Sequence, residues 1–143
     1  MKALPHRYAT SIAGGPEGHA TLSSGGVPDL PTAPPIQFDG PGDAWSPEQL
    51  LLAAVEACFL LTFRAVAEAS RLEFASITVD AEGVVDRVGG VTRFTEIVLR
   101  PRAVVPAGTD RVRLQRAFEK AERACLVSAS LATPIRLEPE IAG

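Results

Sequence analysis

Ser46-Pro47-Glu48-Gln49-Leu50-Leu51-Leu52-Ala53-Ala54-Val55-Glu56-Ala57-Cys58-Phe59-Leu60-Leu61-Thr62-Phe63 reads as a single long helix. Ser46 suits the N-cap, Pro47 the first helical position, and Glu48 places negative charge where the helix dipole favours it. From there the segment stays apolar around nearly its whole circumference to Phe63. Polar residues return at Arg64, Glu68, Ser70 and Arg71, where the far end emerges into water. A helix apolar on all sides is buried rather than amphipathic. This one must therefore be wrapped by a sheet or by a partner chain.

On the N-terminal side, Arg7 to Ile12 and Gly18 to Leu22 read as two short strands joined around Gly14-Gly15-Pro16-Glu17-Gly18. Ser23 to Trp45 is crowded with Gly and Pro and excludes long helices, with a short strand expected at Pro35 to Phe38. A loop of this length inside a compact domain is usually functional. On the C-terminal side, Ser76 to Val84 and Phe94 to Arg102 alternate with period two, and Gly89-Gly90 between them reads as a hairpin turn. One face of each strand is apolar and the other charged, as in a sheet packed on one side only. A second helix opens near Thr109-Asp110, with Val112, Leu114, Ala117, Phe118, Ala121 and Ala124 forming a stripe that Cys125 ends. A short helical turn continues through Ser128-Ala129-Ser130. Thr133 to Ile141 reads as a last strand that Pro139 confines to a sheet edge.

The 143 residues suffice for one domain, 1–143, with a real core. Apolar residues make up 46%, charged residues 22%, and the net charge is −3 with both signs interspersed, which argues against nucleic acid as a partner. No signal core is evident at Met1-Lys2-Ala3-Leu4-Pro5-His6, so the expected location is cytoplasmic. The longest apolar run is interrupted by Glu56 and falls short of the roughly 20 residues of a membrane span, so no membrane partner is expected. Two distant cysteines and two histidines show no zinc spacing, and no phosphate loop or other cofactor pattern is present.

Cys58 and Cys125 are the only cysteines. In a reducing compartment a transient disulfide is more plausible than a structural one. A lone cysteine on an apolar helix is usually packing, and burial raises a thiol pKa. A reactive Cys58 therefore requires a cation or a hydrogen-bond donor from outside its own helix. Cys125, at the negative end of the second helix, suits a resolving role better than a first attack. Glu48 by itself reads as a first-turn helix acid. It lies ten residues before Cys58, or about 15 Å along one helix, so if both act at one site Glu48 comes from a second copy.

The pattern Ser46-Pro47-Glu48-Gln49-Leu50, Ala53-Ala54 and Ala57-Cys58-Phe59, followed by a second helix ending in Cys125 before Val127-Ser128, resembles the OsmC/Ohr family of osmotically induced and organic-hydroperoxide-resistance proteins. The resemblance implies an α+β fold in which two chains intertwine, their long central helices wrapped by antiparallel sheets that both build. It implies a thiol peroxidase that reduces organic hydroperoxides, with Cys58 peroxidatic, Cys125 resolving and Glu48 orienting or tuning the site. An external thiol, a lipoyl group or a small thiol, restores the pair. The two main branches of the family carry an activating arginine where this chain has Pro16 or Gln37. That places the chain in a divergent branch, with His19, Arg64 or Arg93 as the substitutes to consider. Two other classes remain open: a small-ligand binding protein on the same fold with little or no peroxidase activity, and a thioesterase-type enzyme built on Glu56.

Overall fold

The computed structural model describes residues 1–140, and its contacts divide the chain into two compact units, Met1–Leu50 and Leu51–Gly143. The first unit holds an antiparallel sheet of β1 (Ser11–Ala13), β2 (Ala20–Ser23) and β3 (Leu30–Thr32) in that order. The expected hairpin is present, with Ser11 opposite Ser23 and Ala13 opposite Thr21. Its first strand starts later than Arg7, because the exposed residues before Ser11 form no ladder.

The strand expected at Pro35–Phe38 is a 3-10 turn over Ile36–Phe38, and the third strand lies earlier. Pro35 O accepts from both the Phe38 and Gly40 amides, and Asp39 takes a left-handed conformation (φ 61°), so the chain curls instead of extending. Gly40 makes the curl possible, since a Cβ there would collide with the Pro34 carbonyl.

Helix α1 (Pro47–Ala69) begins as its sequence requires. The Ser46 amide donates to Gln49 Oε1 at 2.9 Å and the Gln49 amide to Ser46 Oγ at 3.2 Å, a reciprocal capping box. At its other end Arg71 stands in the left-handed region (φ 54°) and the Leu72 amide returns to Ala67 O, closing the helix. With 23 residues, α1 is long and apolar enough by length and composition to cross a membrane, a property that core helices of globular proteins share. The helix is apolar on every side, and one chain buries only part of it. Only Val55, Phe59, Phe63 and Ala67, spaced by four, are buried, while Ala54, Ala57, Leu61 and Ala65 stay exposed. A single chain covers one side of the helix and no more.

That buried row packs against the second unit's own sheet and α2 (Arg111–Ala124). Strands β4 (Ser76–Val88) and β5 (Val91–Val104) form a long antiparallel hairpin closed by Gly89 and Gly90, both at positive φ as a two-residue turn demands. Strand β6 (Ile135–Leu137) adds to β5 in parallel at the sheet edge, and beyond Pro139 a bridge joins Glu140 to Arg102. Ile141, the expected end of that strand, lies outside the described residues. The outer face is charged, as read: Arg100 meets Glu82 at 3.3 Å and Glu138 at 3.1 Å, and Arg136 meets Glu96 and Glu138. The inner face supplies Leu99 and Ala103 to the core, opposite Leu114, Ala117, Phe118 and Ala121 of α2. Asp110 caps α2, accepting from the Val112 amide at 2.8 Å. Val112 itself is exposed, a correction to the stripe that follows from its place about 200° around the helix from Leu114.

Candidate active site

Cys58 opens the fourth turn of α1 and is half-buried. Cys125 is wholly buried at the corner where α2 ends and α3 (Leu126–Ala129) begins. It therefore closes one helix and opens the next, whereas the sequence placed it only at the negative end of α2. Its amide donates to Glu122 O at 3.2 Å, and Ser128 Oγ donates to its sulfur at 3.3 Å.

The fold brings the two sulfurs together, and their environments push them apart in acidity. Removal from water raises the Cys58 thiol, yet four donors more than offset it: the Cys125 thiol, the Val127 amide, the Thr62 hydroxyl and the Leu126 amide. The net result lies below the ordinary thiol value. Cys125 moves the other way. Its own desolvation comes first, then the neighbouring Cys58, against a weaker pull from Ser128. A thiolate is stabilised by donors and destabilised by burial. Cys58 is thus the more acidic of the two thiols.

None of the groups acting on Cys58 is a cation. Arg64 and Arg93 are exposed, and His19 Nε2 meets Asp43 Oδ1 at 2.7 Å within the first unit. Its proximity holds the Asp43 carboxyl below its usual value. The sequence reading looked for donors outside α1 and overlooked Thr62. That residue lies four positions after Cys58, and i and i+4 share a helix face. The amides at the start of α3 carry no side-chain signature and could not have been named from the sequence.

Thr62→Val tests this arrangement. It should raise the Cys58 pKa and leave the fold intact, since the β-branched volume is kept. The check is the pH dependence of iodoacetamide alkylation on Cys125→Ser protein, whose midpoint moves upward in the double variant. Alkylation at a given neutral pH slows accordingly, because less thiolate is present.

Glu48 sits in the first turn of α1, within the first unit. Its Oε1 is buried with no hydrogen-bond partner, and its side chain lines a cavity of about 400 Å³ together with Ala33, Pro34, Pro35, Phe38 and Pro47. Trp45 is half-exposed beside it in sequence, and its carbonyl accepts from Thr32 Oγ1 at 2.6 Å. Glu56, on which a thioesterase reading turns, has its carboxyl raised by desolvation and by the charge of Asp80. Among the described residues no group of three or more His, Cys, Asp or Glu side chains is placed to hold a metal ion.

The family model described as OsmC-like protein matches residues 40–140, which takes in the α1 cap, both thiols and the second sheet. The chain belongs to the OsmC-like family. It is 33% identical over 109 residues to the uncharacterized protein YmaD of Bacillus subtilis (strain 168), covering 74% of this chain and 73% of that protein. It is also 33% identical over 126 residues to an organic hydroperoxide resistance protein of Xanthomonas axonopodis pv. citri, covering 87% of this chain and 84% of the relative. Among solved structures, an OsmC-like protein of unknown function from Vibrio cholerae superposes with a TM-score of 0.88 over 95% of this chain and 100% of that one, at 19% identity. At that identity the likeness carries the fold alone. The α+β OsmC-like architecture expected from the motifs is therefore the one observed.

Proposed function

We propose that this OsmC-like protein is a thiol peroxidase that reduces organic hydroperoxides through Cys58 and Cys125. The observation that carries the reading is the pairing of two thiols with opposite acidity shifts at the meeting of α1 with the α2–α3 corner. The name of the Xanthomonas relative supports the substrate class.

The Cys58 thiolate attacks the terminal oxygen of the hydroperoxide. The O–O bond breaks, the sulfur becomes a sulfenic acid, and the alkoxide leaves to take a proton as the alcohol. The Cys125 thiol then attacks the sulfenic sulfur, forming the disulfide and releasing water. An external dithiol, a lipoyl group or a pair of small thiols, reduces the bridge and is itself oxidised. The donors that hold the Cys58 anion take the place of the missing arginine.

The active form is a homodimer in this reading. The exposed row Ala54, Ala57, Leu61 and Ala65 gives a second copy an apolar surface to cover, and Glu48 of the partner subunit orients or tunes the peroxidatic site. Intact-mass measurement after brief exposure to cumene hydroperoxide tests the cycle. The expected result is loss of two hydrogens, abolished in Cys58→Ser and in Cys125→Ser. An unchanged mass in the wild type would remove the proposal.

A second reading, a small-ligand binding protein with thiols that do not turn over, is favoured by Pro16 and Gln37 at the positions of the family arginine. Thiol titration separates the two. A Cys58 pKa at the free-thiol value of about 8.5 supports binding, and a value well below about 7 supports catalysis.

A further inference from the structure

The aromatic rings between α1 and α2 set the distance between the helices and leave their register to other contacts. Apolar contact is non-directional, so Phe118 against Phe59 and Phe63 resists separation more than sliding. Directional contacts stand at the two ends of the helix pair. At one end the Cys58 sulfur takes donors from Cys125 and from the Leu126 and Val127 amides. At the other, Arg113 Nη2, on the first turn of α2, donates to the Ser70 carbonyl at 2.8 Å.

That carbonyl stands at the negative end of α1. The amides of Ser70, Leu72 and Arg71 take the carbonyls of Val66, Ala67 and Glu68. The guanidinium meets the Ser70 carbonyl beyond them, a cation where the helix dipole favours one. Among the described residues it is the one side-chain hydrogen bond between the end of α1 and α2.

The spacing of the two contacts is matched. Ser70 lies twelve residues after Cys58, and Cys125 twelve residues after Arg113. Each interval corresponds to about 18 Å of helix rise. The helices therefore run antiparallel and in step, with one polar contact at each end. A slide at the Arg113 end is carried along two stiff helices to the thiols, whose donors must stay within hydrogen-bond reach.

We propose that Arg113 is a positioning residue for the thiol pair: through the Ser70 carbonyl it holds the axial register of α1 on α2, and so keeps Cys58 facing the α3 amides and within bonding reach of Cys125. The role rests on the reading of Cys58 and Cys125 as a working redox pair.

Equilibration of the full-length protein in glutathione buffers tests it without hydroperoxide. Two protein thiols become one disulfide while one glutathione disulfide becomes two glutathiones, and the constant for that exchange reports how well the sulfurs are placed. Arg113→Met keeps the stem and loses the donor. Its constant should fall about three- to tenfold, as expected when paired groups are slightly misplaced, with circular dichroism unchanged. Arg113→Lys can still donate to a single carbonyl and should stay within about twofold of the wild type. Arg116→Met removes an exposed cation one turn on and should leave the constant in place. A merely structural role would lower the urea stability of both redox forms alike and would not move the constant. An unchanged constant in Arg113→Met, an equal fall in Arg116→Met, or a lysine variant shifted as far as the methionine one overturns the proposal. A wild type that forms no disulfide removes the thiol pair and this role with it. A wild type inert to hydroperoxide whose constant still falls in Arg113→Met refutes the peroxidase reading and leaves the positioning role standing.

Discussion

Cys58→Ser protein should consume no organic hydroperoxide above background, a loss of at least about a thousandfold, on the scale seen when a nucleophile is removed. What decides the outcome is which sulfur is the more acidic. Four donors act on Cys58, the Cys125 thiol among them, while burial and then the neighbouring Cys58 raise the Cys125 thiol. A serine at position 58 has the donors but no nucleophile of useful acidity. The Cys125→Ser variant behaves differently. It should react once at near the wild-type rate, accumulate a sulfenic acid that dimedone traps, and then stall, because nothing adjacent can condense with it. Coupled consumption of hydroperoxide and dithiol, read against single-turnover trapping, distinguishes the two. Equal single-turnover rates in wild type and Cys58→Ser would reverse the assignment of roles.

Phe118→Ala should be the most destabilising single change in the second unit. The ring is fully buried on α2, with centroids 6.2 Å from Phe59 and 5.1 Å from Phe63, both on the buried row of α1. Phe63 in turn meets Phe74 at 5.1 Å. Truncation removes the ring's transfer energy and leaves a cavity that two packed helices cannot close, at a cost of about 3–5 kcal/mol. Against a total stability of about 5–15 kcal/mol for a domain, that is a large fraction. Urea unfolding gives the number. Val112→Ala on the same helix is the control, because Val112 is exposed and its change should stay within about 0.5 kcal/mol. A loss below about 1 kcal/mol for Phe118→Ala would mean that α2 does not depend on this aromatic cluster. The consequence for chemistry is direct, since α2 carries Cys125 at its end and any shift of the helix separates the sulfurs.

What the sequence disclosed divides along physical lines. The α1 start was legible to the residue, because a capping box and a first-turn proline are local and Ser46, Pro47 and Gln49 lie side by side. The β4–β5 hairpin was legible too, since Gly89-Gly90 fixes both turn and register. Pro35–Phe38 misled because its composition suits an extended edge, while the curl is set by Gly40 lying against the Pro34 carbonyl. The parallel docking of β6 on β5 pairs residues nearly forty positions apart, which no local pattern encodes. At the site, both thiols were named in advance, but their acidities were not. Thr62 was within reach of i+4 reasoning. The Leu126 and Val127 amides were not, because their role comes from where α3 sits and not from what its side chains are. The uncovered side of α1 shows the same limit: composition revealed that the helix needed cover, but not how much of it a single chain supplies.

Cys125 ends one helix and starts another, so its sulfur is tied to two backbone segments at one point. A bond from there to Cys58, 67 positions earlier, would fasten α1 to that corner and enclose nearly half the polypeptide in a covalent ring. In chain-entropy terms a ring of this size deprives the denatured ensemble of about 4 kcal/mol of freedom. The bridged form would then melt at a higher temperature than the dithiol form, and a simple thermal scan would report how much of a population carries the bond.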